Sequence, residues 1–439
     1  MRTFPILILL PLLTALADAS TVDDWPQWRG PTRDGVWRET GLLEELPDEL
    51  ELRWSVPIGG GYSGPTVADG RVYVTDHLTD YVTDRVDDER EVERVHCFDE
   101  ESGESLWTHT YDCSYAGVSY EAGPRCSVLI QEGRAYSLGT MGHLFCFDAA
   151  SGEVLWSHDL ADEYEIRMPI WGIAAAPILE EGLLIVPVSG APGAYMVAFD
   201  AETGRERWAA LDDRGNYSAP IVIDQAGQRV LVCWTGDRVV GLVPNSGKLL
   251  WEHPMPPKQM PLGIASPVLE GDTLFFSGFY EGGTLLRLND EKAGVEMLWH
   301  RVGPNERRTD SLQSIISTPL VRGDHVYGVD SYGELRCLRL KDGERVWEDQ
   351  TAVPRARWAT IHFVQNGERT WMFNERGELI IAELTPEGYH ELDRAKLIAP
   401  TLGQLPQREG VCWSHPAFAN RHVFARNDEV LVCADLSAR

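Results

Sequence analysis

The sequence predicts an all-β fold, an eight-bladed β-propeller of four-stranded antiparallel blades, and three observations carry that prediction. A phrase of fixed grammar recurs along the chain, it returns every 43 to 52 residues with strand-like content, and the two chain ends hold complementary pieces of one more repeat.

The clearest copy of the phrase is Leu144 to Trp156, LFCFDAASGEVLW. Leu144-Phe145-Cys146-Phe147 is apolar without a helical period and reads as a strand. Ser151-Gly152 supplies a turn, and Glu153 to Trp156 resumes an extended run that ends on an indole. Related phrases end at Trp107, Trp208, Trp251, Trp299 and Trp347, so the six tryptophans stand 49, 52, 43, 48 and 48 residues apart. In a radial array each such indole can bury its ring against the neighbouring blade.

In chain order, Leu50 to Val56 alternates apolar and polar residues and ends the repeat without its inner strands, an orphan outer strand. The first full unit starts at Gly64-Pro65-Thr66-Val67. It continues with a strand from Arg71 to Thr75, an acidic excursion from Asp76 to Glu93 read as a solvated loop, a strand from Val95 to Asp99, and Trp107. Later units start at Ser127, Ala174, Ser218, Ala265, Ile316, Ala359 and His415. The seventh lacks the tryptophan, with third and fourth strands at Glu378 to Leu384 and Tyr389 to Ile398. The eighth has three strands, Ala417-Phe418, His422 to Arg426 and Val430 to Ala434, and the orphan at Leu50 to Val56 can supply its fourth, closing the ring and removing an open sheet edge.

The period overrides the multi-domain prior that 439 residues would carry. The expected organisation is a signal peptide at 1–19, an extension at 20–49 packing on the propeller, and one propeller at 50–439. Arg2 ahead of the apolar run Ile6 to Leu16, then Ala17-Asp18-Ala19, reads as an export signal cleaved after Ala19; the run is shorter than the roughly 20 residues a membrane helix needs. A periplasmic or secreted location follows, with no transmembrane span in the mature chain. A net charge of −29 speaks against a nucleic-acid partner, which needs clustered Lys and Arg on phosphates.

All eight cysteines lie in the exported part. Cys97, Cys146, Cys337, Cys433 and Cys233 sit in apolar strands and read as small buried hydrophobes, whereas Cys113 and Cys126 flank one connection and are the pair expected to bridge. No C-x-x-C or H-E-x-x-H occurs. Cys412 with His415 is insufficient for zinc, and Asp84, Asp87, Asp88 and Glu89 match no calcium loop, so no metal site is assigned.

The segments entering each innermost strand share a pattern: Gly61-Tyr62-Ser63-Gly64-Pro65, Asn216-Tyr217-Ser218-Ala219-Pro220, Ala265-Ser266-Pro267, Ile316-Ser317-Thr318-Pro319 and Trp413-Ser414-His415-Pro416. Proline there sets strand entry, and serines that recur with the repeat read as turn hydrogen-bonders rather than nucleophiles. Tyr62, Trp171, Tyr217, Trp358 and Trp413 could ring the axial mouth, offering ring faces to a planar ligand or a partner's side chains. Arg125, Arg167, Arg355 and Arg357 lie in the same segments and suit carboxylates.

The unit [AC]-F-D-x-x-[ST]-G-x-x-x-W, seen at Cys97 to Trp107, Cys146 to Trp156 and Ala198 to Trp208, resembles the repeat of pyrroloquinoline quinone (PQQ)-type propellers. The opening DWPQWRGPTRDG at Asp24 to Gly35 is similar to that of secreted bacterial PQQ-like proteins grouped with the BamB outer-membrane assembly scaffold. The resemblance implies one of two functions. A BamB-like propeller would be a non-catalytic envelope scaffold with no cofactor, binding envelope or secreted proteins. A quinoprotein dehydrogenase would hold PQQ with calcium in the funnel, and the four arginines suit that tricarboxylate. The chain lacks the adjacent Cys-Cys pair of those enzymes, so no catalytic residue is assigned, and the scaffold is the first expectation. A propeller binding small ligands or polysaccharides is the third.

Overall fold

The computed structural model of the protein describes residues 23–82 and 89–438. The signal segment and the side chains of Asp84, Asp87, Asp88 and Glu89 lie outside the described residues. Eight antiparallel sheets of four strands follow one another, with a single helical turn, Leu160–Glu163, among the described residues. The eighth sheet joins Leu52–Pro57 to Val430–Asp435, which continues to His422–Arg426 and Ala417–Ala419, so the N-terminal strand closes the ring. The degenerate seventh blade keeps its four strands, ending in Glu378–Thr385 and Gly388–Lys396.

Strand alternation explains the core. In each blade the second and third strands are buried on both faces, because both faces meet neighbouring blades. Leu138, Leu144 and Cys146 of the second blade thus pack on Leu184, Val186, Val197 and Phe199 of the third.

The outer-strand tryptophans join the blades. The indole Nε1 of Trp54, Trp107, Trp156, Trp208, Trp299 and Trp347 donates to the carbonyl of Glu100, Ala149, Ala201, Pro244, Leu340 and Thr385 respectively, each in the turn of the next blade, at 2.8–3.2 Å. For all but Trp347 the ring lies on that turn's glycine, Gly103, Gly152, Gly204, Gly247 or Gly343. Gly152 has φ +74°, and a Cβ there would stand 2.6 Å from the Trp107 ring, so side-chain bulk is excluded on two grounds. Trp251 departs from the rule. The next turn, Asn289 to Gly294, is longer, and Gln225 bridges the gap: it accepts from Trp251 Nε1 at 2.9 Å and donates to Gly294 O at 2.6 Å.

Residues 24–39 cross from blade to blade along the inner strands and the segments that enter them. Trp25 pairs with Val67, Pro26 O accepts from Ile130 N, Arg33 Nη1 donates to Pro177 O at 2.7 Å, and Asn366 Nδ2 donates to the carbonyls of Trp37 and Glu39. One segment therefore touches the first, second, third and seventh blades.

Two expectations are corrected. The described flanks of the acidic excursion are no loop: they extend as a ribbon, Arg71–Val82 paired with Glu89–Asp99. Two of its acids, Asp76 and Glu93, are buried against side-chain partners. Asp76 bonds Arg94 and His96, which hold its carboxyl well below the usual range against the opposing effect of burial; Glu93 accepts from the hydroxyls of Tyr111 and Tyr115. The Cys113–Cys126 bridge is also absent, since all eight cysteines are buried free thiols. Cys126 faces the core between the second and third blades, while Cys113 follows the outer strand Ser105–Asp112 beside Glu91 and Glu93.

Replacing Gln225 with alanine leaves the buried Trp251 Nε1 without a partner, whereas the Gly294 carbonyl keeps its bond from Asn289 N, a cost of about 2 kcal/mol. The urea midpoint of Gln225→Ala should fall accordingly; an unchanged midpoint would show that the bridge contributes nothing.

Candidate functional site

The entry segments converge at one end of the axis. In six of them proline stands directly before the inner strand: Pro65, Pro177, Pro220, Pro267, Pro319 and Pro416 precede Thr66, Ile178, Ile221, Val268, Leu320 and Ala417. The missing N–H costs nothing at a first strand position. The serines tie adjacent segments together, with Ser127 Oγ donating to Gly64 O at 3.0 Å, Ser218 Oγ to Ala265 O at 2.9 Å and Ser414 Oγ to Gly61 O at 3.2 Å.

These segments form a cup of about 200 Å³. All five aromatics anticipated from the sequence line it: Tyr62, Trp171, Tyr217, Trp358 and Trp413. Leu262, Ile264, Ile315 and Ile316 add aliphatic wall, Phe279 and Tyr280 come from a hairpin tip, and Trp28 of the N-terminal segment forms part of the floor. Tyr120 stands among the aromatics, with ring centroids 5.8 Å from Trp171, 6.3 Å from Trp358 and 6.2 Å from Trp413. Tyr120 and Trp358 both hold positive φ, +61° and +67°, a conformation rare for bulky side chains and common where surrounding structure fixes a site.

The floor is polar but internally satisfied. Trp28 meets His415 edge-on at 4.4 Å between centroids, and its Nε1 donates to Ser266 Oγ at 2.9 Å. His415 Nε2 lies 2.8 Å from Ser127 Oγ, which is also 3.0 Å from Gly64 O, and His415 Nδ1 lies 3.4 Å from Pro416 O. His362 Nε2 donates to Trp413 O at 2.8 Å. Burial pushes both imidazoles down, His362 to about 4 and His415 to about 3, so both are neutral near pH 7. Glu375 behind the wall accepts from Trp413 Nε1 and pairs with Arg408.

The arginines divide. Arg125 lines the cup, but it donates to the carbonyls of Gly123, Ser119 and Tyr120 while lying 5.0 Å from the Tyr62 ring centroid. Arg357 caps one side of the mouth, 4.2 Å from the Trp358 ring centroid and 5.6 Å from that of Phe279, and pairs with Glu306 at 2.7 Å. Arg355 and Arg167 are not lining residues. Arg355 faces solvent beside Glu334, 3.4 Å away, and over Tyr332, whereas Arg167 sits on an exposed loop. The expectation of four convergent arginines is thus corrected: tertiary neighbours claim three of them. Tyr120 and Trp28 were missed because the first arises in an inter-blade connection and the second in the N-terminal segment, neither of which repeats.

PQQ does not fit these residues. Three carboxylates need several cationic or donor partners, yet Arg125 is the one permanently charged residue lining the cup among the described residues, and its guanidinium is spent on backbone carbonyls. Nor do the described residues include a group of three or more His, Cys, Asp or Glu side chains placed to hold a metal ion, and the lining offers calcium no carboxylate.

Residues 91–349, more than half of the chain, match the family described as outer membrane protein assembly factor BamB. BamB of Shewanella oneidensis is 26% identical over 161 residues, 36% of this chain and 39% of that protein, so the match spans about two fifths of the relative. Among solved structures, BamB of Moraxella catarrhalis shares 15% identity with TM-score 0.57, covering 89% of this chain and 98% of its own. A europium-containing methanol dehydrogenase shares 13% identity with TM-score 0.64, covering 92% and 89%. At such identities the likeness to both structures concerns the fold alone.

The neutral histidines set a pH dependence. An unfolded chain protonates them near 6.5, whereas the folded one waits until about 4 and about 3, so stability contributed by the neutral forms is full above 6.5 and is lost as pH falls below it. Between pH 6.5 and 4.5 the loss should approach about 1.4 kcal/mol per pH unit for each histidine. Urea unfolding across that range should show a smaller pH dependence for His415→Asn than for the parent; equal slopes would exclude this role.

Proposed function

We propose, for a chain that belongs to the family of outer membrane protein assembly factor BamB, that it is a non-catalytic binding scaffold of the cell envelope whose partners dock on the axial face around the cup. One observation carries the reading: the cup is an aromatic and aliphatic basin whose one permanently charged lining residue among the described residues, Arg125, is held by backbone carbonyls, and apolar residues stand exposed beside it. Leu402 is 58% exposed in the loop whose Gln404 carbonyl accepts from Tyr62, and Ile170 is 48% exposed next to Trp171. Exposed apolar side chains next to a rigid concave aromatic surface suit recognition of an apolar segment of another protein. Such a surface has no acid–base pair poised for chemistry, since the Ser127–His415 contact serves blade-to-blade bonding. Family membership supports an envelope location; export through cleavage after Ala19 belongs to the same proposal.

Photo-crosslinking in the source cell tests the reading. A benzophenone amino acid at Ile170 or Leu402 should give discrete adducts with envelope proteins. The same residue at Glu132, beyond the far end of an innermost strand, should give none. Folded, correctly localised protein with no adduct at either rim position would overturn the scaffold reading.

A further inference from the structure

The charge around the cup says more about what enters it. Two aromatic faces that would suit a cation are already used by the chain's own guanidinium groups, Arg125 on Tyr62 and Arg357 on Trp358. A cationic guest would meet both charges at close range. Inside the cup a polyanion finds no free cation among the described residues, because the guanidinium of Arg125 is spent on backbone carbonyls.

The mouth is different on one side. Arg357 is 41% exposed and bonds Glu306 through Nη2 alone, leaving Nη1 and Nε without an acceptor among the described residues. It lies in electrostatic reach of Tyr120 and Tyr280, both of which line the cup. Arg307 and Arg355 stack on Tyr332 next to it. The three guanidinium groups face two carboxylates, Glu306 and Glu334, so this edge carries a positive surplus on a chain of net charge −29. An apolar basin with positive charge at one lip, Arg357 nearest the rings, defines an amphiphilic guest.

We propose that the cup binds a small monoanionic molecule with an apolar, ring-bearing body, the rings lying among Tyr120, Trp171, Trp358 and Trp413 and the carboxylate or sulfonate on Arg357. The inference rests on reading the cup as a binding centre, but not on protein partners docking at its rim. A monoanion satisfies the free donors of Arg357 while its body displaces water from the aromatic walls. PQQ, with three carboxylates, lies outside this class.

A pair of fluorescent probes with nearly the same body tests the proposal on the purified protein. Anilinonaphthalene sulfonate carries one negative charge and N-phenyl-1-naphthylamine carries none. The first should bind at one site, and Arg357→Gln should weaken it roughly fivefold while leaving the neutral probe unchanged. Ala174→Trp, which fills the cup from a lining position, should abolish binding of both. Should that variant not fold by circular dichroism, Ala219→Phe provides the same test from another lining position. Sulfonate affinity unchanged by Arg357→Gln, or binding that survives the filled cup, would overturn the proposal. Failure here with rim crosslinks still forming would remove the ligand and keep the scaffold; the reverse would remove the scaffold and keep the ligand.

Discussion

The structure depends on one contact repeated around a ring: an indole laid on the turn glycine of the next blade, its N–H bonded to that turn's carbonyl. Each four-stranded blade presents two apolar faces and cannot bury them alone. The tryptophan fixes the distance and angle at which neighbours meet, and burying each ring contributes about 2–3 kcal/mol. Where the next turn lengthens, at Asn289 to Gly294, the contact is kept by inserting Gln225 rather than abandoned. The N-terminal strand beside Val430–Asp435 completes the set, so no blade is left with an unpaired partner face.

A closed ring of this kind fixes what lies on its axis. Eight inner strands bring eight entry segments to one end, and prolines and bonded serines hold those segments rigid. Aromatic side chains carried by the segments converge into a cup, and the N-terminal stretch supplies Trp28 to its floor. The strained backbones of Tyr120 and Trp358 stand at this position, where packing of the rings overrides local preference. What results is a preorganised apolar surface with charge at one edge, an arrangement suited to binding.

The ring was legible in the sequence because each tryptophan and its phrase are local and recur. The blade boundaries and the strand that completes the eighth blade followed from that recurrence. Five wall aromatics were legible for the same reason, since they stand in the recurring entry segments. The rest depended on tertiary neighbours. Nothing in the sequence around Arg125 says that its guanidinium turns to Ser119 and Tyr120, or that Arg355 meets Glu334. The ribbon formed by Arg71–Val82 and Glu89–Asp99 was hidden because its buried positions include Asp76 and Glu93, charged residues whose partners arrive from other strands. Cys113 and Cys126 flank one connection, yet their backbones serve different packing surfaces.

We read this axial cup as a site of binding rather than of quinone chemistry, although the fold is shared with a methanol dehydrogenase. Calorimetric titration of the purified protein with PQQ, with and without calcium, tests it most directly. The account predicts no saturable heat in either condition, because the cup's one lining guanidinium is spent and its walls offer calcium no carboxylate. Saturable, calcium-dependent binding in the micromolar range or tighter would contradict it.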